Sequence, residues 1–220
     1  MRLFFARTDK MTKILKQDQH TSREALLDEA AAIVTRGGLI AYPTETIYGL
    51  GANATDEKAL RRIFNIKGRD FNNPLPVIIG KPEDLYPLVN KVGTLAERLI
   101  SDFWPGPLTI VFEASQAISP LVTAGTGKIG IRLPDHYGAR QIAARSGKPL
   151  TATSANLSGA PECADAASVI AGLGDAIDAV VDLGKTAGLP ATTVVDGTGS
   201  EPVILRQGTI TLEEIMRKIC

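Results

Sequence analysis

The sequence predicts a single α/β domain, a twisted, mixed β-sheet flanked by helices. Three observations point there. Amphipathic stretches with helical spacing alternate with short apolar runs through the first two-thirds of the chain. Three short β-like runs then cluster near the end. The hydrophobic content, 44% of 220 residues, is enough for one sizeable core, and no long linker, repeat or low-complexity segment divides it.

In chain order, residues 1–20 carry more basic than acidic side chains and read as a loosely held N-terminal extension, with the domain proper over 21–220. "TSREALLDEAAAIVTRGG" reads as a helix. Thr21 and Glu24 fit a capping box, and Gly37 fits the position just past its end. "LIAYP" is a buried strand stopped by Pro43. "DEKALRRIFNIKG" is a helix capped by Asp56, with Leu60, Ile63 and Phe64 facing inward. "LPVIIG" is a strand, "TLAERLISDFW" a helix, and "LTIVF" and "KIGIRLP" strands. "HYGARQIAARSG" is a helix closed by Gly147, and "PLTATS" is a strand. "AVVDLG", "TTVVDG" and "VILRQG" are the late strands, before a terminal helix "LEEIMRKI".

Composition excludes several classes. A formal net charge of zero argues against charge-driven nucleic-acid binding. Two cysteines, Cys163 and Cys220, without CxxC exclude a disulfide scaffold and a cysteine-rich zinc site. No apolar run approaches the ~18–20 residues of a membrane span, and the N-terminus lacks a signal-peptide core, so a cytoplasmic protein is expected. "GKT" at Gly184–Thr186 is not a P-loop, because Ala179 stands where the first glycine belongs. "GTGKIG" leads into a strand rather than a helix, so it is not a dinucleotide fingerprint. With His20 and His136 the only histidines, no zincin or hydrolase pattern is present.

Four features remain. Lys67 falls on the inward stripe of its helix, and Arg69 follows Gly68, which lets the chain reverse. Alone, Lys67 could simply complete a helix C-terminus; together the two cations can converge on one anion. "YPTETIYGLGANATD" leaves a strand end with two threonines and a glutamate, either a polar loop or a ligand-facing one. "PLTATSANLSGAP" runs a buried strand into Ser154, Asn156 and Ser158, either a turn or a close approach for a ligand. Arg132 and Arg206 end two further strands and suggest a shared basic groove.

Together these segments resemble the YrdC-like family, the threonylcarbamoyl-AMP synthases, over about residues 22–210. The ordered elements are "YPTETIYGLG", "IKGRDFNNPLPV", "WPGPLTIVF", "IGIRLPDH", "PLTATSANLSG", "TTVVD" and "ILRQG", with the K-x-R pair Lys67/Arg69 and the S-x-N pair Ser154/Asn156 intact. The resemblance implies a large concave, positively charged groove. It also implies a reaction of L-threonine, bicarbonate or CO₂, and ATP that gives L-threonylcarbamoyl-AMP and pyrophosphate. The product goes to a separate complex that modifies the adenosine beside the anticodon of certain tRNAs; weak tRNA binding is a further expectation.

By the same resemblance, Lys67 and Arg69 are the catalytic cations. Lys67, Arg69, Asn73, Ser154, Asn156, Glu162 and Arg206 are expected on ATP, and Thr46, Arg132, Ala152 and Thr192 on L-threonine. Ala152 and Ser154 are expected on one side of a single strand. Mg²⁺ is expected with ATP, with no dedicated metal site in the chain. Ile78 stands where longer members carry a substrate-near histidine. The chain stops soon after "ILRQG", so the short, single-domain form is expected. The alternatives are a divergent relative acting as an RNA-binding module or a carbamoyl-transfer domain. The scarcity of aromatics (5%) and the absence of paired cysteines count against them.

Overall fold

The computed structural model describes residues 11–219. The strands are β1 (Lys13–Lys16), β2 (Ile40–Pro43), β3 (Tyr48–Gly51), β4 (Val77–Ile78), β5 (Leu108–Glu113), β6 (Lys128–Arg132), β7 (Leu150–Thr151), β8 (Thr153–Ser154), β9 (Ala179–Asp182), β10 (Thr193–Asp196) and β11 (Val203–Arg206). The helices are α1 (Arg23–Thr35), α2 (Glu57–Lys67), α3 (Thr94–Phe103), α4 (Pro120–Thr123), α5 (Tyr137–Ser146), α6 (Ala166–Leu173) and α7 (Leu212–Ile219). The α/β class holds, but the strands form two mixed sheets instead of one. Their orders are β1-β9-β2-β3-β8 and β11-β10-β5-β6-β4-β7.

Where the sheets meet matters most for the site. "PLTATS" is not one strand. β7 pairs with β4 in the six-stranded sheet, and β8 pairs with β3 in the five-stranded sheet. The chain changes sheets at Ala152, whose N–H donates to the Pro76 carbonyl at 2.8 Å. Ala152 and Ser154 therefore do not share one face of a continuous strand. Thr151 fastens the junction. Its hydroxyl donates to the Leu50 carbonyl at 3.0 Å and accepts from the Ala52 N–H at 2.9 Å. Residues of both sheets around this seam line a cleft.

Local signals explain the flanking helices. Asp56 caps α2 by accepting from the N–H groups of Lys58 and Ala59. Gly68 ends it at φ 59°, a left-handed conformation that favours glycine. At α1 the cap is Ser22, accepting from Ala25 N–H at 3.2 Å, in place of the expected Thr21. α1 and α5 bury Leu26, Leu27, Ile142 and Ala143 against one face of the five-stranded sheet, with Tyr42 and Ile78 in the same cluster. A larger core joins both sheets to α2 and α3 through Leu60, Ile63, Phe64 and Leu99. Each such side chain contributes roughly 1.5–3 kcal/mol by burial.

Four of these elements were not read from sequence: β1, β3, α6 and the short α4. β1 lies inside the segment expected as a loose extension, yet it pairs in parallel with β9 from Lys13 to Lys16. Residues 1–10 of that expected extension, and Cys220, lie outside the described residues. No helix among the described residues is long and apolar enough to cross a membrane.

Candidate active site

The cleft encloses about 680 Å³ including its open mouth. One wall is the β2–β3 turn, with Thr44, Thr46 and Tyr48. The other carries Thr109 of β5, Arg132 at the end of β6, Thr192 and Arg206. Arg69, Pro76, Ala152, Ser154 and Glu162 complete the lining. Eight residues expected from sequence thus meet here: Thr46, Arg69, Arg132, Ala152, Ser154, Glu162, Thr192 and Arg206.

Three others do not line it. Lys67 is only 4% exposed and lies behind the wall. Its ammonium donates to the carbonyls of Ser154 (2.5 Å) and Asn156 (2.8 Å) and to Asn156 Oδ1 (3.1 Å). An ammonium has three N–H donors, so these acceptors occupy all of them. The lysine backbone also takes part: Ser158 N–H donates to the Lys67 carbonyl at 3.0 Å. Asn156 lies in the same layer. It accepts from the Ser154 hydroxyl at 2.6 Å and donates to the Ala160 carbonyl at 2.6 Å. The K-x-R lysine and the S-x-N pair form one buried brace. Asn73 is exposed; its carbonyl accepts from Arg69 Nε at 3.4 Å, and Pro74 supplies a second carbonyl at 3.0 Å.

Burial, followed by the neighbouring Arg69, pushes the Lys67 pKa down to about 8. The unfolded chain, with lysine near 10.4, then binds more protons than the folded protein between those values. Stability from this group therefore rises with pH through that window. Relative to Lys67→Met, the wild type is expected to gain on the order of 2–3 kcal/mol between about pH 8 and 10.5, at ~1.4 kcal/mol for each pH unit crossed. Urea denaturation of both proteins across that range checks this; a pH-independent difference contradicts it. Burial also raises the Tyr42 and Tyr48 phenols, an effect common to both proteins.

Arg69, Arg132 and Arg206 line the same cleft. Arg206 donates to the Thr192 carbonyl (2.9 Å) and hydroxyl (3.2 Å), and Thr192 shares a 3.0 Å hydroxyl contact with Thr109. Burial and then Arg206 lower the Arg69 pKa. Burial and Arg132 lower that of Arg206, while Glu162 opposes them. Like charges brought together this way favour an anion between them. Arg132 is 5% exposed and donates from Nη1 to Glu45 Oε1 at 2.8 Å. On the facing wall, Thr44 and Thr46 hydroxyls lie 3.0 Å apart.

Thr44 and Glu45 were noted in sequence only as part of a polar or ligand-facing turn, and Tyr48 and Thr109 were not expected at the site. The available signal was a carboxylate between two threonines at a strand end. Ile78, expected near the substrate, is wholly buried in the core under α5, while its neighbour Val77 reaches the cleft.

The protein is thus an α/β domain whose two mixed sheets border a cleft with arginines and hydroxyls on its walls and a lysine brace behind. The Sua5/YciO/YrdC family model, described as "Telomere recombination", matches residues 32–208, and the chain belongs to that family. It is 42% identical over 190 residues to the threonylcarbamoyl-AMP synthase of Pyrococcus abyssi, covering 86% of this chain and 56% of the relative. It is 40% identical over 199 residues to that of Bacillus subtilis, covering 90% and 58%. The crystal structure of P. abyssi Sua5 complexed with L-threonine superposes with a TM-score of 0.88 at 38% identity, covering 94% of this chain and 60% of that one. The chain therefore spans a little over half the length of these relatives.

Proposed function

We propose that this domain makes L-threonylcarbamoyl-AMP from L-threonine, bicarbonate or CO₂, and ATP. The observation that carries the reading is one cleft that gathers three arginines, Arg69, Arg132 and Arg206, with the hydroxyls of Thr44, Thr46, Thr109, Ser154 and Thr192. In this reading Arg132 with Thr46 and Thr192 takes the small amino acid, and Arg69 and Arg206 take the phosphates. The L-threonine complex of the P. abyssi relative supports the assignment.

In this reading the substrate amine attacks the carbon of CO₂ and loses a proton, giving a carbamate; from bicarbonate, that proton leaves with the expelled hydroxide as water. A carbamate oxygen then attacks the α-phosphorus as the bond to pyrophosphate breaks. The domain chiefly holds two labile partners in line, where proximity gives its largest benefit. Each cation at ~4 Å from a phosphate oxygen supplies roughly 4 kcal/mol before desolvation at an effective dielectric near 20. Arg69 and Arg206 are the phosphate contacts, and Ser154 and Glu162 border the nucleotide. Lys67 and Asn156 hold Ser154 in place from behind, and Asn73 anchors Arg69 through its carbonyl.

Magnesium would enter with ATP as part of the substrate. Among the described residues no group of three or more His, Cys, Asp or Glu is placed to hold a metal. The product would pass to a separate tRNA-modifying complex in the cytoplasm. We also place the domain's beginning ahead of β1, because that strand is paired within the sheet.

The test is pyrophosphate release from ATP with L-threonine and bicarbonate supplied together, singly or not at all. Release is expected only when both are present. Equal rates in all four mixtures would sink the synthase reading.

A further inference from the structure

We propose that Glu45 is a positioning residue that sets the domain's demand for a carboxylate on its amino-acid substrate, acting through Arg132. This inference rests on the function proposed above. It begins from two facts about one side chain. Glu45 Oε1 accepts from Arg132 Nη1 at 2.8 Å, in a pair whose side chains are 16% and 6% exposed. Its other oxygen, Oε2, is buried with no hydrogen-bond partner. A buried, half-satisfied carboxylate is costly, so packing alone does not account for its presence.

The consequence for Arg132 does account for it. The guanidinium carries five N–H donors in a rigid fork. One goes to Glu45, and the others have no acceptor among the described residues, although Arg132 lines the cleft. Glu45 thus fixes the plane and direction of a fork whose remaining donors serve a ligand. Its flanking residues, Thr44 and Thr46, form the facing wall, so one short turn ties that wall to the arginine. A fork held this way favours a planar, bidentate acceptor such as a carboxylate over a single hydroxyl.

Specificity is therefore the property to measure. Calorimetric titration of wild type, Glu45→Gln and Glu45→Ala with L-threonine and with L-threoninol, in which CH₂OH replaces the carboxylate, supplies it. An ATP titration and a thermal melt of each protein accompany these. The wild type is expected to prefer L-threonine by about 100-fold, a difference of ~2.8 kcal/mol. That ratio is expected to fall about tenfold in Glu45→Gln and further in Glu45→Ala, with ATP affinity within about twofold of wild type. A merely structural role would weaken both amino-acid ligands together and leave their ratio unchanged. An unchanged ratio in the soluble, folded Glu45→Gln protein overturns the inference while leaving the synthase reading intact. Failure of the wild type to bind L-threonine overturns both.

Discussion

Arg132→Ala is expected to be both destabilised and unable to hold L-threonine. Removing the guanidinium leaves Glu45 buried without a partner, where one oxygen already lacks a hydrogen bond. Breaking a buried ion pair by deleting one member costs about 3–5 kcal/mol. The same change removes the forked donor assigned to the substrate carboxylate. A lost charge-assisted contact of that kind is worth about 2–5 kcal/mol, at least ~30-fold in affinity. The two effects separate in the double variant Arg132→Met/Glu45→Leu. Replacing the whole pair by apolar groups is expected to restore most of the stability without restoring binding. Urea titration and calorimetry measure each part. Full L-threonine affinity in a folded Arg132 variant contradicts the assignment.

Lys67→Ala is expected to impair the proposed nucleotide side even though the lysine does not line the cleft. Two carbonyls lose the ammonium at once, and the Asn156 side-chain oxygen keeps only the Ser154 hydroxyl. At roughly 1–3 kcal/mol for each unsatisfied group, less what relaxation and water recover, a net loss near ~3 kcal/mol is expected. Ser154 and its turn then lose their support, and pyrophosphate release is expected to fall about 100-fold, or ~2.8 kcal/mol. Because the effect works through the turn, Ser154→Ala combined with Lys67→Ala should cost little more than Lys67→Ala alone. Fully additive losses in that double-mutant cycle would show that the two residues act separately. Arg69→Ala, by contrast, should reduce turnover with a small change in stability, since its two carbonyl contacts lie at the protein surface.

These residues differ in how far a linear sequence displays them. Lys67 was legible as inward-facing because helical phase alone places it with Leu60 and Ile63. What it points at was not legible, because Ser154 and Asn156 lie 87 and 89 residues away. The pairing of a cation with two distant carbonyls leaves no periodicity to detect. "PLTATS" shows the same limit. Its apolar and hydroxyl residues read correctly as extended, but the switch between sheets at Ala152 is fixed by hydrogen bonds to Ala52 and Pro76. α6 was visible in principle, since Asp165 and Ser168 form a capping box that the small, apolar residues after it disguised. The arginines at strand ends were found because a charge closing an apolar run is conspicuous. Glu45 was noted but given no role, because a carboxylate in a polar turn is ordinary until its buried partner is known.

The proposed reaction joins an amino acid, one inorganic carbon and a nucleotide in one cleft, so all three should end in one product. Incubation with ¹³C-bicarbonate, L-threonine and ATP, followed by mass analysis of the nucleotide fraction, reads that product. The expected result is an adenosine monophosphate adduct containing threonine and one ¹³C atom, formed in step with pyrophosphate. Unlabelled AMP or ADP as the only nucleotide product would contradict it.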